Sequence, residues 1–497
     1  MKKPVWQSPA KGSAWERFVA FSAGRDVRSI EAADSILVPY DIWTNQAHAI
    51  GLQRIGVFTQ AELKKILAAL AQLHKAWTRG EWKLNPALED VHINIEAYVT
   101  EQAGEELGGR LHSGRSRNDQ VAADMLLYAR DVILAFIDEI AALADSLLSH
   151  ANEHLRSVMP GYTHHRKATI TTWGHWCAAY AQGLLRDAQA FADLYRRIDS
   201  CPLGAAAAYG TTWPLDRRFV SDLLAFDSMR ENTLDAVASR GEAEAEIAHA
   251  LSMLMRRLSG ISQDLILFST EEFGYLYLPS SFTTGSSIMP QKRNPDFAEA
   301  IKGKSYVVQG YSASLLSLNS CNLSGYNKDA QWSKYLFLDA VRESSGAALI
   351  LADVVCDLGV NKERMEAAAR AGFLNAVDMA DHLARSRSLP FRKTYHVLSE
   401  AVGQSEGTSF VFESFNELLK KNEIAPLTQK EFDALQDPVS CLMSRRHLGS
   451  PNPAMVKRHL TAMQRQWKKH KQWMEKERRR IQEAKEKCAS GQVVHFI

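Results

Sequence analysis

The side chains in this chain that could do chemistry sit in a few polar segments. Gly285-Ser-Ser-Ile-Met-Pro-Gln-Lys-Arg-Asn-Pro-Asp296 offers hydroxyls, cations and an amide on little apolar surface. Gly285 frees the backbone, and Pro290 and Pro295 block regular hydrogen bonding, so the stretch reads as a loop. A helical pattern resumes after Asn294, with Pro295 at the first helical position and Asp296 and Glu299 in the first turn. Ser286, Ser287, Lys292 and Asn294, presented at a helix start, suit the binding of carboxylates. An ordinary polar connection between helices would have the same composition.

His112-Ser-Gly-Arg-Ser-Arg-Asn-Asp119 places two guanidinium groups, two hydroxyls and an amide just where a long helical pattern starts. Arginine forks bind carboxylates bidentately, and a helix N-terminus adds favourable partial charge. Asn118 or Asp119 could be a plain helix cap, but a cap does not account for Arg115 and Arg117 beside it. In Met159-Pro-Gly-Tyr-Thr-His-His165 a Pro-Gly turn would present Thr163, His164 and His165 ahead of a helix. A histidine of near-neutral pKa suits acid or base work, although most loop histidines are structural or solvated. Tyr326-Asn-Lys-Asp-Ala-Gln331 with Lys334 forms a further polar cluster at the head of another long helix. His92 and Glu96 lie one turn apart on one helix face. The histidine is a ligand, a proton relay or, more commonly, a hydrogen-bonded structural group.

The elements that must position these groups are long helices. Nearly uninterrupted apolar periodicity runs over residues 119–155, 168–199, 240–273, 296–319 and 331–358. Each far exceeds the ~11–12 residues of an average helix, which implies an elongated bundle. No run alternates with period two for long, so no major sheet is expected, with room only for short strands near the ends. Residues 1–114 read as a mostly helical N-terminal domain, with Thr59-Gln-Ala-Glu62 as a capping box. Residues 115–366 read as the central bundle, and 367–497 as a C-terminal domain of shorter helices with a basic tail. The tail from Gln464 to Lys487 reads as a solvated helix. Trp467, Met474 and Ile481 lie seven apart, but the matching d positions are polar. An acidic partner or nucleic acid for this tail is conceivable, and a solvated face is the stronger reading.

With 46% hydrophobic and 23% charged residues and a net charge of +2, nothing drives the chain globally toward nucleic acid or membrane. No secretory pattern follows the N-terminal lysines, and no apolar run could span a bilayer. The six cysteines have no CxxC spacing, so a zinc or redox site is not expected, and reduced thiols in the cytosol are the simplest account.

The loop Gly285–Asp296 resembles the Gly-Ser-Ser-x-Met-Pro-x-Lys-x-Asn-Pro signature of the fumarase/aspartase superfamily. The run His112–Val121 is similar to the argininosuccinate lyase branch. So are the blocks Glu89–His92, Pro160–His164, Pro202–Gly204, Gly210–Arg217, Tyr326–Asp329 and Leu389–Arg392. The resemblance implies an all-α, three-domain subunit with a long central five-helix bundle. It implies a homotetramer whose active sites each draw on three chains, and no metal or organic cofactor. The implied substrate is an N-substituted aspartate. A base takes a Cβ proton, the neighbouring carboxylate takes up charge, and the Cα–N bond breaks to release fumarate. By motif position Ser286 resembles the general base, Lys292 a catalytic cation, and His164 the acid or relay with Glu299 as its carboxylate partner. Lys292 and Asn294 would hold the fumarate-side carboxylates; Arg115, Ser116, Asn118, Thr163 and Ser287 would line the same pocket. Arg240, Tyr326, Gln331 and Lys334 would bind the remaining polar groups.

This chain also departs from the pattern. Pro9–Trp15 replaces a Trp-Gly-Gly-Arg-Phe run, and Ser29 stands one residue out of register for an expected substrate-binding serine. Thr163-His-His-Arg-Lys-Ala-Thr-Ile170 adds a cation at Arg166, Gly204-Ala-Ala-Ala-Ala-Tyr-Gly210 replaces a Gly-Ser-Gly-rich run, and the basic tail is extra. None touches the elimination chemistry. The leaving amine is therefore arginine or, as in ethylenediaminedisuccinate lyase, another amine. A catalytically silent, crystallin-like protein would have no physical need for Ser286, Lys292, Asn294, His164 and Glu299 together.

Overall fold

A computed structural model describes residues 21, 32–318 and 322–491. Ser29, the segment 9–15 and Cys321 lie outside the described residues.

Helix α1 (Val38–Arg54) is buried nearly all round. Helix α2 (Gln60–Thr78) starts at the expected capping box between Thr59 and Glu62 and buries the stripe Leu63, Ile66, Leu67, Leu70 and Leu73. Helix α3 (Val91–Ala103) is capped by Asp90. The bundle follows: α4 (Arg117–Glu153), α5 (Trp173–Ile198), α6 (Glu242–Phe268), α7 (Asp296–Ser317), α8 (Gln331–Ser344) and α9 (Ala347–Cys356). α4 packs along α5 and α9, and α6 along α7, around one continuous core.

Three expectations are corrected here. Residues 168–172 are not helix: Val158–Thr163 (β1) and Arg166–Thr172 (β2) form an antiparallel hairpin. The run Thr169-Ile-Thr-Thr172 is β-branched throughout, which suits a pleated surface better than a helix. The turn is His164-His165, not Pro160-Gly161, with φ of 53° and 57°. Two successive left-handed residues make the tight turn whose twist matches a two-stranded hairpin. Nor is 331–358 one helix. It breaks at Ser345–Gly346, where Gly346 is left-handed and its N–H donates to both carboxylate oxygens of Glu139, at 3.1 and 3.0 Å.

Short helices between residues 362 and 444 enclose their own apolar cluster around Met379, Leu383, Leu398, Phe415 and Leu419. The last helix, α10 (Pro453–Ser490), returns to the main core. The solvated-helix expectation is therefore corrected on one face. Leu460, Trp467, Met474, Ile481 and Cys488, each seven apart, are all buried. Beside that seam Lys471, Arg478 and Lys485 pair with Asp145, Asp138 and Asp131 of α4, again at sevens on both helices. Polar d positions do not spoil the seam because the partner surface is itself charged: Arg480 binds both Glu477 and Asp199. Trp467→Ala lowers the unfolding free energy by about 3–5 kcal/mol, the range for emptying a large aromatic site. A urea titration checks this, and a purely solvated helix would show almost no shift. Among the described residues no helix is long and apolar enough to cross a membrane.

Candidate active site

Local hydrogen bonding shapes the segment His112–Asp119. The cap of α4 is Ser116, not Asn118 or Asp119: its Oγ accepts from Asn118 N–H at 3.3 Å, and Asp119 answers Ser116 N–H at 2.9 Å. The other oxygen of Asp119 accepts from Gly204 and Ala206 N–H at 3.0 and 2.9 Å, so one carboxylate ties two loops together. Burial pushes that carboxyl up to about 6 against the pull of these donors. Arg115 is buried and donates to Asn45 Oδ1, while its Nε and a second terminal nitrogen have no hydrogen-bond partner among the described residues. Arg117 reaches Asp90 at 3.2 Å.

Here the structure opens a cavity of about 500 Å³. Arg117 and Asn118 line it from α4, Arg240 from the segment before α6, and Tyr326, Gln331 and Lys334 from the last polar cluster. The Arg240 guanidinium lies over the Tyr326 ring, 5.0 Å from its centroid. Burial lowers the pKa of Arg240, opposed by the charge of Glu244. Lys334 pairs with Asp34, which also lines the cavity. Three hundred residues separate the pair, and no local pattern signals it.

The remaining candidates lie elsewhere in the chain. The loop before α7 closes at a neck where Thr284 and Asn294 exchange backbone hydrogen bonds of 3.1 and 2.8 Å. Within it, Ser286 Oγ accepts from Ile288 and Met289 N–H at 3.3 and 3.1 Å. Asn294 is half-buried and its amide points back to Gly285 O at 3.5 Å, whereas Ser287 and Lys292 are exposed. Glu299 is exposed in the first turn of α7, and Thr163 and His164 are exposed at the hairpin tip. The hairpin is anchored near the end of α6, since Tyr162 and Tyr275 share a hydroxyl hydrogen bond of 2.8 Å.

These two groups are at opposite ends of the bundle. Helix α4 leaves the cavity at Arg117 and reaches the hairpin only after 37 residues, about 55 Å of helix at 1.5 Å per residue. Helix α6 runs from Arg240 toward Tyr275 over 27 residues, and α7 returns from Asn294 toward Tyr326 over 22. One chain thus brings together Asn118, Arg240, Tyr326, Gln331 and Lys334 around the cavity, with Arg115 and Ser116 next to them in the segment that leads into α4. It leaves Ser286, Ser287, Lys292, Asn294, Glu299, Thr163 and His164 at the far end.

Comparison with known proteins agrees with this architecture. The Lyase family model matches residues 23–310, and the argininosuccinate lyase C-terminal model matches residues 373–442. Argininosuccinate lyase of Desulforamulus reducens is 36% identical over 88% of this chain and 94% of its own length. That of Thioalkalivibrio sulfidiphilus is 40% identical over 86% and 91%. Among solved structures, EDDS lyase in complex with formate superposes with a TM-score of 0.86 at 27% identity, covering 97% of this chain and 95% of the other. Class II fumarase of Schistosoma mansoni shares the fold, with a TM-score of 0.69 at 16% identity over 90% and 97%. On this likeness along nearly its whole length, the chain belongs to the argininosuccinate lyase family of carbon–nitrogen lyases.

Proposed function

We propose that this enzyme cleaves argininosuccinate to fumarate and L-arginine by β-elimination in the cytosol. The observation that carries the reading is the likeness, over 86–88% of the chain, to proteins named argininosuccinate lyase. In the proposed mechanism Ser286, as alkoxide, takes the Cβ proton. The electron pair forms the Cα–Cβ double bond, and the Cα–N bond breaks. A serine hydroxyl is a weak base and needs activation. The two N–H groups aimed at Ser286 Oγ favour its anionic form, and Lys292 on the same loop adds positive charge. His164, with Glu299, moves the proton to the departing nitrogen. Stabilising the charge that builds on the carboxylate is the largest demand, which suits Lys292, Asn294, Ser287 and Thr163 on one side and Arg115, Ser116 and Asn118 on the other. Arg240, Tyr326, Gln331 and Lys334 take the amine half.

Such a site needs more than one chain, because its two halves lie at opposite ends of the bundle. We propose a homotetramer in which each site combines the far end of one chain with the cavity end of another. Tyr306, Leu316 and Trp332, which are 69%, 60% and 52% exposed on α7 and α8, support an apolar surface for that assembly.

EDDS lyase, by its fold likeness over 97% of this chain, supplies the second reading, an elimination from a different N-substituted aspartate. Incubation with argininosuccinate, with fumarate read by ultraviolet absorbance and arginine by amino-acid analysis, separates the two. Equimolar fumarate and arginine are expected. Fumarate from ethylenediaminedisuccinate but none from argininosuccinate would transfer the assignment to the second reading.

A further inference from the structure

Beneath the segment His112–Asp119 lies a polar network that the mechanism does not use. Asp41, Thr44, Asn45 and His48 occur on α1 at i, i+3, i+4 and i+7, a helical stripe of polar side chains that is wholly buried. Such a stripe is costly unless each group is satisfied. Asp41 accepts from His92 Nδ1 at 2.8 Å and Gln120 Nε2 at 3.2 Å on Oδ1 and from Asn45 Nδ2 at 3.0 Å on Oδ2, which leaves room on Oδ2 for one more donor. Asp124, fully buried beside it on α4, accepts from Thr44 Oγ1 at 3.0 Å, and its Oδ2, 3.8 Å from His92 Nδ1, has no hydrogen-bond donor among the described residues. Asn45 turns its amide oxygen to Arg115, and His48 meets Ser113 O at 2.9 Å, so the stripe is the floor of the segment His112–Asp119.

Charge balance limits the protonation of this cluster. Arg115 brings one positive charge, and one carboxylate balances it; His92 touches Asp41 and Asp124 through Nδ1 alone, at 2.8 and 3.8 Å, and its buried Nε2 has no acceptor among the described residues to hold a second proton. A second ionised carboxylate against Asp41 would be a buried like-charge pair with no counter-ion, and such pairs hold a proton. We propose that Asp124 keeps its proton and donates it from Oδ2 to Asp41, and that the ionised Asp41, through Asn45, positions Arg115 for the substrate carboxylate. The proton gives the orphaned Oδ2 a role as donor. The second half of the inference rests on the reading of Arg115 as substrate-binding; the first half does not.

The surroundings fit this distribution. Burial, the largest influence on both carboxyls, pushes both up. The Asp41 charge pushes Asp124 further, while contact with His92 and the charge of Arg115 hold Asp41 below its usual value. The other titratable groups facing Arg115 are His48, His112, Glu96 and Asp119. The first two are held below their usual pKa by burial and by Arg115.

Infrared difference spectroscopy of the full-length enzyme tests the proton. The wild type at neutral pH should show a carboxylic-acid C=O band that Asp124→Asn removes, with kcat and KM within about threefold, because the amide reproduces the donor to Asp41. Asp41→Asn should raise KM by about tenfold or more with kcat little changed, the scale of one charge-assisted hydrogen bond. Asn45→Ala, which keeps both carboxyls, should raise KM in the same way and covers the case in which Asp41→Asn fails to fold. An unchanged infrared band in Asp124→Asn would overturn the proton assignment, as would stoichiometric divalent metal in the purified enzyme. Lower melting temperatures for Asp41→Asn and Asn45→Ala with KM unmoved would make the network merely structural. Should wild type release no fumarate from argininosuccinate, the proposed function fails while the band still decides the proton.

Discussion

Ser286→Ala should lower kcat by about a thousandfold, within the range for removing a general base, while KM for argininosuccinate changes only a few-fold. The expectation rests on where Ser286 sits. Its Oγ accepts two backbone N–H groups, so the loop is built to favour the anionic form. The neck between Thr284 and Asn294 holds the loop shape without help from the serine hydroxyl. The side chain is therefore not a structural keystone, and alanine should leave assembly and melting temperature nearly unchanged. Steady-state kinetics with argininosuccinate, alongside light scattering, gives both readouts. Turnover near wild type would remove Ser286 from the mechanism and direct attention to His164.

The second large effect concerns assembly. Asn118→Ala removes a side chain from the cavity and should lose most activity by itself. Unfolded together with Ser286→Ala and refolded as a mixture, the two inactive chains should regain about one quarter of wild-type activity. Random assortment in a symmetric oligomer gives that fraction of sites an intact Ser286 from one chain and an intact Asn118 from another. The physical basis is the length of α4, α6 and α7, which keeps the two halves of the site apart in any single chain. A refolded mixture no more active than its parents would mean that the halves do not combine across chains.

The chemistry-bearing segments were legible because they break local rules. Pro290, Pro295 and a cluster of cations have no place in an apolar-periodic helix, so Gly285–Asp296 stands out as a loop. The bundle was legible for the opposite reason, since residues 119–155 or 240–273 repeat apolar side chains at helical spacing without interruption. The hairpin was not. Thr169–Thr172 is too short to establish a period, and only the left-handed pair His164-His165 reveals the turn. For α10 the polar positions hid a packed seam, because the carboxylates that pair with the charges flanking it lie on α4 and just past the end of α5, more than 270 residues earlier.

The sequence by itself thus determined the reaction family, the helical architecture and the identity of the polar groups, all of which follow from local residue types and spacing. Only the tertiary structure decided which groups share a cavity, that Asp34 meets Lys334, and that Ser286 and His164 lie a helix length from Asn118. It also decided how the α1 stripe is satisfied. Those outcomes depend on which distant surfaces meet when long helices bury their apolar faces against one another, and local sequence does not encode the partner of a buried polar group.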